Sequence, residues 1–305
     1  MKKKVLLTGA TGFVGKNIVE ELNNKYNLSA VGSKDCDLTN QTECYRLLES
    51  ISPDIVIHAA GTVGGIGANK ENPGKFLYEN LIMGTNIIHK SMEMNVDKFI
   101  LLGTVCSYPK FTQVPFNERD LWKGYPEETN APYGIAKKTL MKMIETYHEQ
   151  YGFRGVNLIP VNMYGPHDHF NLTSSHVIPA LILKVKNAIE SGKGHITLWG
   201  TGQASREFLF APDCAKAIGL AIEKELPPSP INIGTGQEIK ISQLIEEICD
   251  IMNYTGELRY DTTKPDGQPR RCLDVTRSEN LLGFKAETDL RSGLEKTIKW
   301  YLETL

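Results

Sequence analysis

A short apolar run that ends in a glycine-rich turn and opens directly into a helix leaves a chain few choices of fold. Val5-Leu6-Leu7 leads into Thr8-Gly9-Ala10-Thr11-Gly12-Phe13-Val14-Gly15 within the first fifteen residues. Glycines at those spacings make a tight turn and let backbone N–H groups and a helix N-terminus approach a pyrophosphate. A lone G-x-x-G-x-x-G marks only a tight turn, but between a strand and a helix it predicts dinucleotide binding. Gly9, Thr11, Gly12, Phe13, Val14 and Gly15 are the candidate contacts.

The same rhythm continues through the first half. Strand-like runs fall at 4–8, 28–31, 54–60, 98–103 and 155–160, and helical stretches at 13–24, 41–51, within 73–95 and at 131–151. Strict β-α alternation predicts a Rossmann-type doubly wound parallel sheet, covered on both faces, with right-handed crossovers. From about Tyr164 longer loops with Gly and Pro break the rhythm, and only two later helices stand out, at 242–252 and 290–302. The expected division is a cofactor-binding domain at 1–163 and a smaller, partly interleaved α/β substrate domain at 164–305. A segment around 205–235 is expected to return to the first domain.

Composition narrows the function classes. With 305 residues, 41% hydrophobic and 23% charged, the values are those of a globular chain. A net charge of -2 and no basic stripe exclude a nucleic-acid binder. No apolar run approaches the roughly 18 residues of a membrane span. Val5-Leu6-Leu7, after Met1-Lys2-Lys3-Lys4, is too short for a signal-peptide core, so a cytoplasmic enzyme is expected. Six cysteines without a C-x-x-C pair read as reduced thiols, and no zinc spacing or other metal site is found. His167-Asp168-His169 is expected in a solvated loop.

The end of the second strand selects the dinucleotide. A carboxylate there holds the ribose 2′-hydroxyl of NAD, and a basic residue accommodates the 2′-phosphate of NADP. Val31-Gly32-Ser33-Lys34 offers no carboxylate until Asp35. NADP(H) is therefore expected, with Ser33 and Lys34 at the phosphate and Asp37-Leu38 near the adenine. Ala59, Ala60 and Gly61 end the third strand with small residues that let a cofactor pass.

The fourth strand delivers Thr104, Cys106 and Ser107 from its carboxyl end, where open α/β sheets bind ligands. A free cysteine alone is more often inert packing. Tyr133 and Lys137, four apart at the start of a helix, share one face. A lysine ammonium beside a phenol is expected to lower the tyrosine pKa from about 10 toward neutrality, giving a general acid/base for a carbonyl or alcohol.

Together, Thr8–Gly15, Asp37-Leu38, His58–Gly61, Thr104, Tyr133 and Lys137 resemble the extended short-chain dehydrogenase/reductase family, with threonine in place of the commoner serine at 104. The sugar-nucleotide 4,6-dehydratases of that family carry Asp-Glu where this chain has Val105-Cys106, which argues against dehydration. The chain is more similar to the GDP-L-fucose synthase branch, on Val63-Gly64-Gly65-Ile66, Cys106–Lys110, Ser175–Leu181, Trp199–Gly202, Arg206–Leu209 and Lys264–Gly267. That resemblance implies an NADPH-dependent epimerase/reductase acting on GDP-4-keto-6-deoxymannose, with Cys106 and His176 as the base/acid pair at carbons 3 and 5. It implies Tyr133 as proton donor at carbon 4, Thr104 as its hydrogen-bonding partner and Lys137 at the ribose. Arg206 and Lys264 would neutralise the diphosphate, and Asn162, Val177, Lys184, Trp199 and Asp266 complete the substrate set.

Three other readings stay open. One is a carbon-4 reductase without net epimerisation on a related GDP-4-keto sugar, a 6-deoxyheptose or a dideoxyhexose. Another is a UDP-sugar 4-epimerase, disfavoured by Lys34. The last is an NADP-sensing scaffold, disfavoured by the intact Thr104, Tyr133 and Lys137. The family resemblance also implies a homodimer through a four-helix bundle built from 80–95 and 133–151.

Overall fold

A computed structural model of the protein describes residues 2–64, 66–171, 175–264 and 266–305, without the side chains of Ile66 and Lys70. Gly65 and Pro265, which belong to two of the motifs above, and Met1 lie outside the described residues. The first half runs β1 (Lys4–Thr8), α1 (Phe13–Leu22), β2 (Asn27–Val31), α2 (Gln41–Ile51), β3 (Ile55–His58), α3 (Ile66–Glu71), α4 (Pro73–Glu93), β4 (Lys98–Leu102), α5 (Ala131–Tyr151) and β5 (Gly155–Pro160). The second runs β6 (Asn162–Tyr164), α6 (Val177–Glu190), β7 (His195–Trp199), β8 (Ser205–Phe210), α7 (Ala211–Glu223), β9 (Ile231–Ile233), β10 (Glu238–Lys240), α8 (Ile241–Ile251), β11 (Glu257–Asp261) and α9 (Leu290–Glu303).

Six strands form one parallel sheet in the order β2-β1-β3-β4-β5-β9. β3, β4 and β5 are buried at every position, which is why apolar residues dominate them. Edge strand β2 is buried only at Val31. The chain runs outward from β1 to β2, then crosses back to β3 on the other side of β1. That reversal opens a crevice at the carboxyl ends of β1 and β3, where Gly9 and His58–Gly61 lie. α1 and α7 pack together on one face, and α2, α4 and α5 on the other.

β9 joins the sheet from the second half, and α7 is fixed to it by a buried lysine. Lys98, at the start of β4, donates from Nζ to the carbonyls of Ala221 (3.1 Å), Ile222 (2.7 Å) and Lys224 (2.7 Å), the unpaired carboxyl end of α7. β6, β8 and β10 form a three-stranded sheet and β7 pairs with β11. Around them a second apolar cluster gathers Tyr164, Ile182, Leu198, Phe208, Leu244, Ile248 and Leu294.

Buried Asn232 on β9 ties the long connection after β4 to the segment before α9. Its amide donates to the carbonyls of Phe116 and Asp274, its oxygen accepts from the Tyr108 hydroxyl at 2.7 Å, and its N–H donates to Glu118. The connection that follows Cys106 is thereby anchored at Tyr108, Phe116 and Glu118.

Candidate active site

The glycine turn is shaped by close approach. Gly9 sits at φ +74°, and a Cβ there would lie 2.6 Å from the Ala60 nitrogen, while one at Gly15 would run into the Gly9 carbonyl. Only backbone fits between β1, β3 and α1. Gly12 caps α1 without any side-chain acceptor, and no acidic residue occupies the first turn. The N–H groups there are open to an anion, and the helix dipole favours one. Beyond β2, Asp35 turns its carboxylate back onto the Gly32 N–H at 2.8 Å. Ser33 and Lys34 stay exposed beside the crevice, a donor set that suits a 2′-phosphate. Asp37 is held below the usual carboxylate range by Thr39, and Asn86 pins the Leu38 carbonyl at 2.9 Å. These residues fit NADP(H).

At the end of β4 the backbone turns sharply, and Thr104 caps that turn by accepting the Cys106 N–H at 3.2 Å. α5 begins against it. Ser107 donates to the Gly134 carbonyl at 3.0 Å, and a Cβ at Gly134 would strike the Cys106 carbonyl. Any larger residue at 134 would push Tyr133 away from Thr104 and Cys106. Five of the six thiols are buried, and Cys106 alone is partly open.

Tyr133 departs from expectation. Burial raises its pKa, the Cys106 charge adds to that, and a hydrogen bond with Thr104 works the other way. The Lys137 ammonium does not pull it down, because Lys137 points elsewhere. Its Nζ donates to the Ala60 carbonyl at 3.3 Å, and the absence of a side chain at Gly61 leaves room for it. Lys137 is itself buried, and that alone lowers its pKa to about 8. Beneath it His58 is bonded to the Thr8 hydroxyl at 2.9 Å and stays neutral, through burial and then the Lys137 charge.

Across the crevice, Glu207 organises the second half. Its buried carboxylate accepts the N–H groups of Thr235 (2.5 Å), Gly236 (2.9 Å) and Leu273 (2.6 Å). Burial raises its pKa, and those bonds oppose the shift. Its own N–H reaches the Arg271 carbonyl at 3.1 Å, so Arg206 and Arg271 are set side by side. Burial, and then the charge of Arg271, lowers the Arg206 pKa to about 10. Lys264 instead lies over the exposed Trp199 ring at 5.7 Å, so the cation acting on Arg206 is Arg271, which the sequence reading missed. Arg271 Nη1 also lies 3.8 Å from Cys106 Sγ, 165 positions away in the chain. Asp266 binds Thr201 through both oxygens, at 2.6 and 2.8 Å, closing the loop after Trp199.

The remaining candidates are more dispersed. Lys184 donates to the Thr197 carbonyl at 3.1 Å, and Asn162 donates to the Glu207 carbonyl at 3.0 Å. His176 caps α6 without a side-chain capping bond, with Val177 partly exposed beside it. Although His176 reaches solvent, surrounding protein and then His169 lower its pKa. The 167–169 stretch is not a solvated loop. His167 bonds Glu20 and packs on the Trp300 ring, while Asp168 is buried and its carboxyl is raised by burial to about 7. Its place against α1 and α9 excludes the solvent that the polar sequence suggested. Among the described residues no group of three metal-ligating side chains converges, and no helix is long and apolar enough to cross a membrane.

Comparison with known proteins agrees with this architecture. Residues 5–234 match the NAD dependent epimerase/dehydratase family. The chain is 40% identical to a GDP-L-colitose synthase of Yersinia pseudotuberculosis, over 98% of each protein. It is 38% identical to a GDP-L-fucose synthase of Escherichia coli, over 99% of this chain and 97% of that one. Among solved structures, the GDP-mannoheptose C4 reductase of Campylobacter jejuni with NADP bound superposes with a TM-score of 0.89 at 27% identity, covering 99% and 98% of the two chains. The chain thus belongs to the NAD-dependent epimerase/dehydratase family, grouping within it over its full length with the GDP-L-fucose and GDP-L-colitose synthases.

Proposed function

We propose that this chain is an NADPH-dependent epimerase/reductase that converts GDP-4-keto-6-deoxymannose to GDP-L-fucose. The observation that carries the reading is the shared placement of Cys106 with Thr104 and Tyr133, on one turn pressed against α5 beside the cofactor cradle. A plain reductase needs no thiol there. A 4-keto group acidifies the C–H bonds at carbons 3 and 5, and Cys106 and His176 are the two groups suited to move those protons. One removes a proton while the other returns one to the opposite face.

NADPH, when bound, supplies the hydride to carbon 4. Tyr133, kept protonated at neutral pH by its burial, then donates its proton to the developing alkoxide. Thr104 holds that oxygen, and Lys137 orients the ribose. Arg206 and Arg271 together offer the paired positive charge that a diphosphate calls for, and a planar guanidinium binds two oxygens at once. Asn162, Val177, Lys184, Trp199, Lys264 and Asp266 complete the substrate pocket in this reading.

Similarity to the mannoheptose C4 reductase favours a second reading, a carbon-4 reductase without net epimerisation on a related GDP-4-keto sugar, a 6-deoxyheptose or a dideoxyhexose. NADPH oxidation with GDP-4-keto-6-deoxymannose in D₂O, followed by NMR of the product, separates the two. Deuterium at carbons 3 and 5 with fucose configuration is expected. Oxidation without deuterium at those carbons selects the second reading, and no oxidation with any of these sugars removes the enzyme reading.

Two assignments complete the proposal. The free thiols suit a reducing cytoplasm. A homodimer through α4 and α5 is supported by their mutual packing and by the exposure of Leu77 and Tyr78 on α4.

A further inference from the structure

The mechanism above leaves one contact unused. Arg271 reaches Cys106 with Nη1, 3.8 Å from Sγ, while Nε and Nη2 both rest on the Gln268 side-chain oxygen, at 3.3 and 2.9 Å. Gln268 is held in turn by its own amide, which donates to the Lys110 carbonyl at 2.7 Å. The Arg271 backbone is fixed by the Glu207 N–H. The guanidinium fork is therefore held by Gln268 and by its own anchored backbone, and the nitrogen left over faces the thiol. Tyr133, the other titratable group facing Cys106, is kept neutral at pH 7 by burial.

We propose that Arg271 is a positioning residue for Cys106, holding its sulfur aimed into the crevice, with Gln268 setting the angle of the fork. A thiolate, not a thiol, takes a proton from carbon. In that step a new S–H bond forms, and the electron pair of the C–H bond passes into the enolate conjugated with the 4-ketone. A cation close to sulfur favours the charged form, and arginine supplies it without titrating itself. The proposal rests on Cys106 acting as a proton-transfer group, so its test reads the thiol separately from the sugar chemistry.

Cys106 is alkylated with iodoacetamide from pH 5.5 to 9.5 on the full chain without substrate, and its labelling rate is read by peptide mass spectrometry. The thiolate displaces iodide and forms a C–S bond, and the five buried thiols serve as slow internal references. Arg271→Gln is expected to slow labelling at pH 7 about tenfold. Arg271→Lys is expected to restore most of the rate, which a merely structural role would not do. Gln268→Leu keeps the charge but frees the fork, and should slow labelling by less. A wild-type profile in Arg271→Gln overturns the proposal. If that variant fails to bind NADPH and is misfolded, a wild-type profile in Gln268→Leu overturns it instead. Shifted labelling without deuterium at carbons 3 and 5 would leave the Arg271–Cys106 pairing standing and remove the epimerase reading.

Discussion

Lys137 is a residue of the site whose charge changes near neutral pH. Burial lowers its pKa to about 8, so it is an ammonium below that pH and a neutral amine above it. An ammonium that holds ribose hydroxyls by charge-assisted bonds contributes roughly tenfold or more in binding. The KM for NADPH is therefore expected to rise by about that factor as pH passes through 8. Lys137→Met should raise it already at pH 7 and flatten the profile. Steady-state kinetics between pH 6.5 and 9.5 check this, and a flat wild-type profile sinks it. Unfolding is not an alternative cause on the Lys137 account. A base depressed on folding binds more protons when unfolded, so its contribution to stability rises between pH 8 and about 10.5. At this scale the sequence was legible for the glycine turn, whose close contacts are with backbone of neighbouring elements, while Tyr133 and Lys137 share a helix without the charge effect their spacing suggested. It was silent on Arg271, whose meeting with Cys106 depends on the Glu207 anchorage and on the packing of two distant loops.

Elements were legible where the hydrophobic period was uninterrupted. α2, α5 and β5 fall on the expected residues. α6 and α7 were not anticipated, because Pro179 and Pro212 interrupt the pattern near their starts. Proline is tolerated there, since the first-turn N–H groups have no helical partner. α3 was missed because Asn72-Pro73 divides it from α4, leaving only six residues. The buried capping of α7 by Lys98 belongs to this scale. Lys98→Met keeps the bulk but leaves three carbonyls without their donor. The expected loss is about 2 to 3 kcal/mol, measured as a lower urea midpoint. An unchanged midpoint would mean that water replaces the ammonium without loss.

At the scale of the whole molecule, the proposed dimer is tested on the outer face of α4. Sedimentation equilibrium is expected to give twice the 34.0 kDa chain mass, and Tyr78→Glu to shift the population toward the monomer. A monomer in the wild-type protein would remove α4 and α5 as an interface. The parallel sheet was foreseen from the β-α alternation, and a segment around 205–235 was expected to return to the first domain, but no closing strand was placed in it, because three residues between loops carry no period of their own. That closing strand has a consequence for how the protein is made. β9 completes the sheet beside β5, and α7 covers α1, yet both come after β8 in the chain. While the ribosome is still translating toward residue 233, the cofactor-binding sheet has an open β5 edge and an uncovered α1 face. The part of the molecule synthesised first is thus among the last to be completed, and a shorter fragment cut after β5 would keep an aggregation-prone edge that the intact chain conceals.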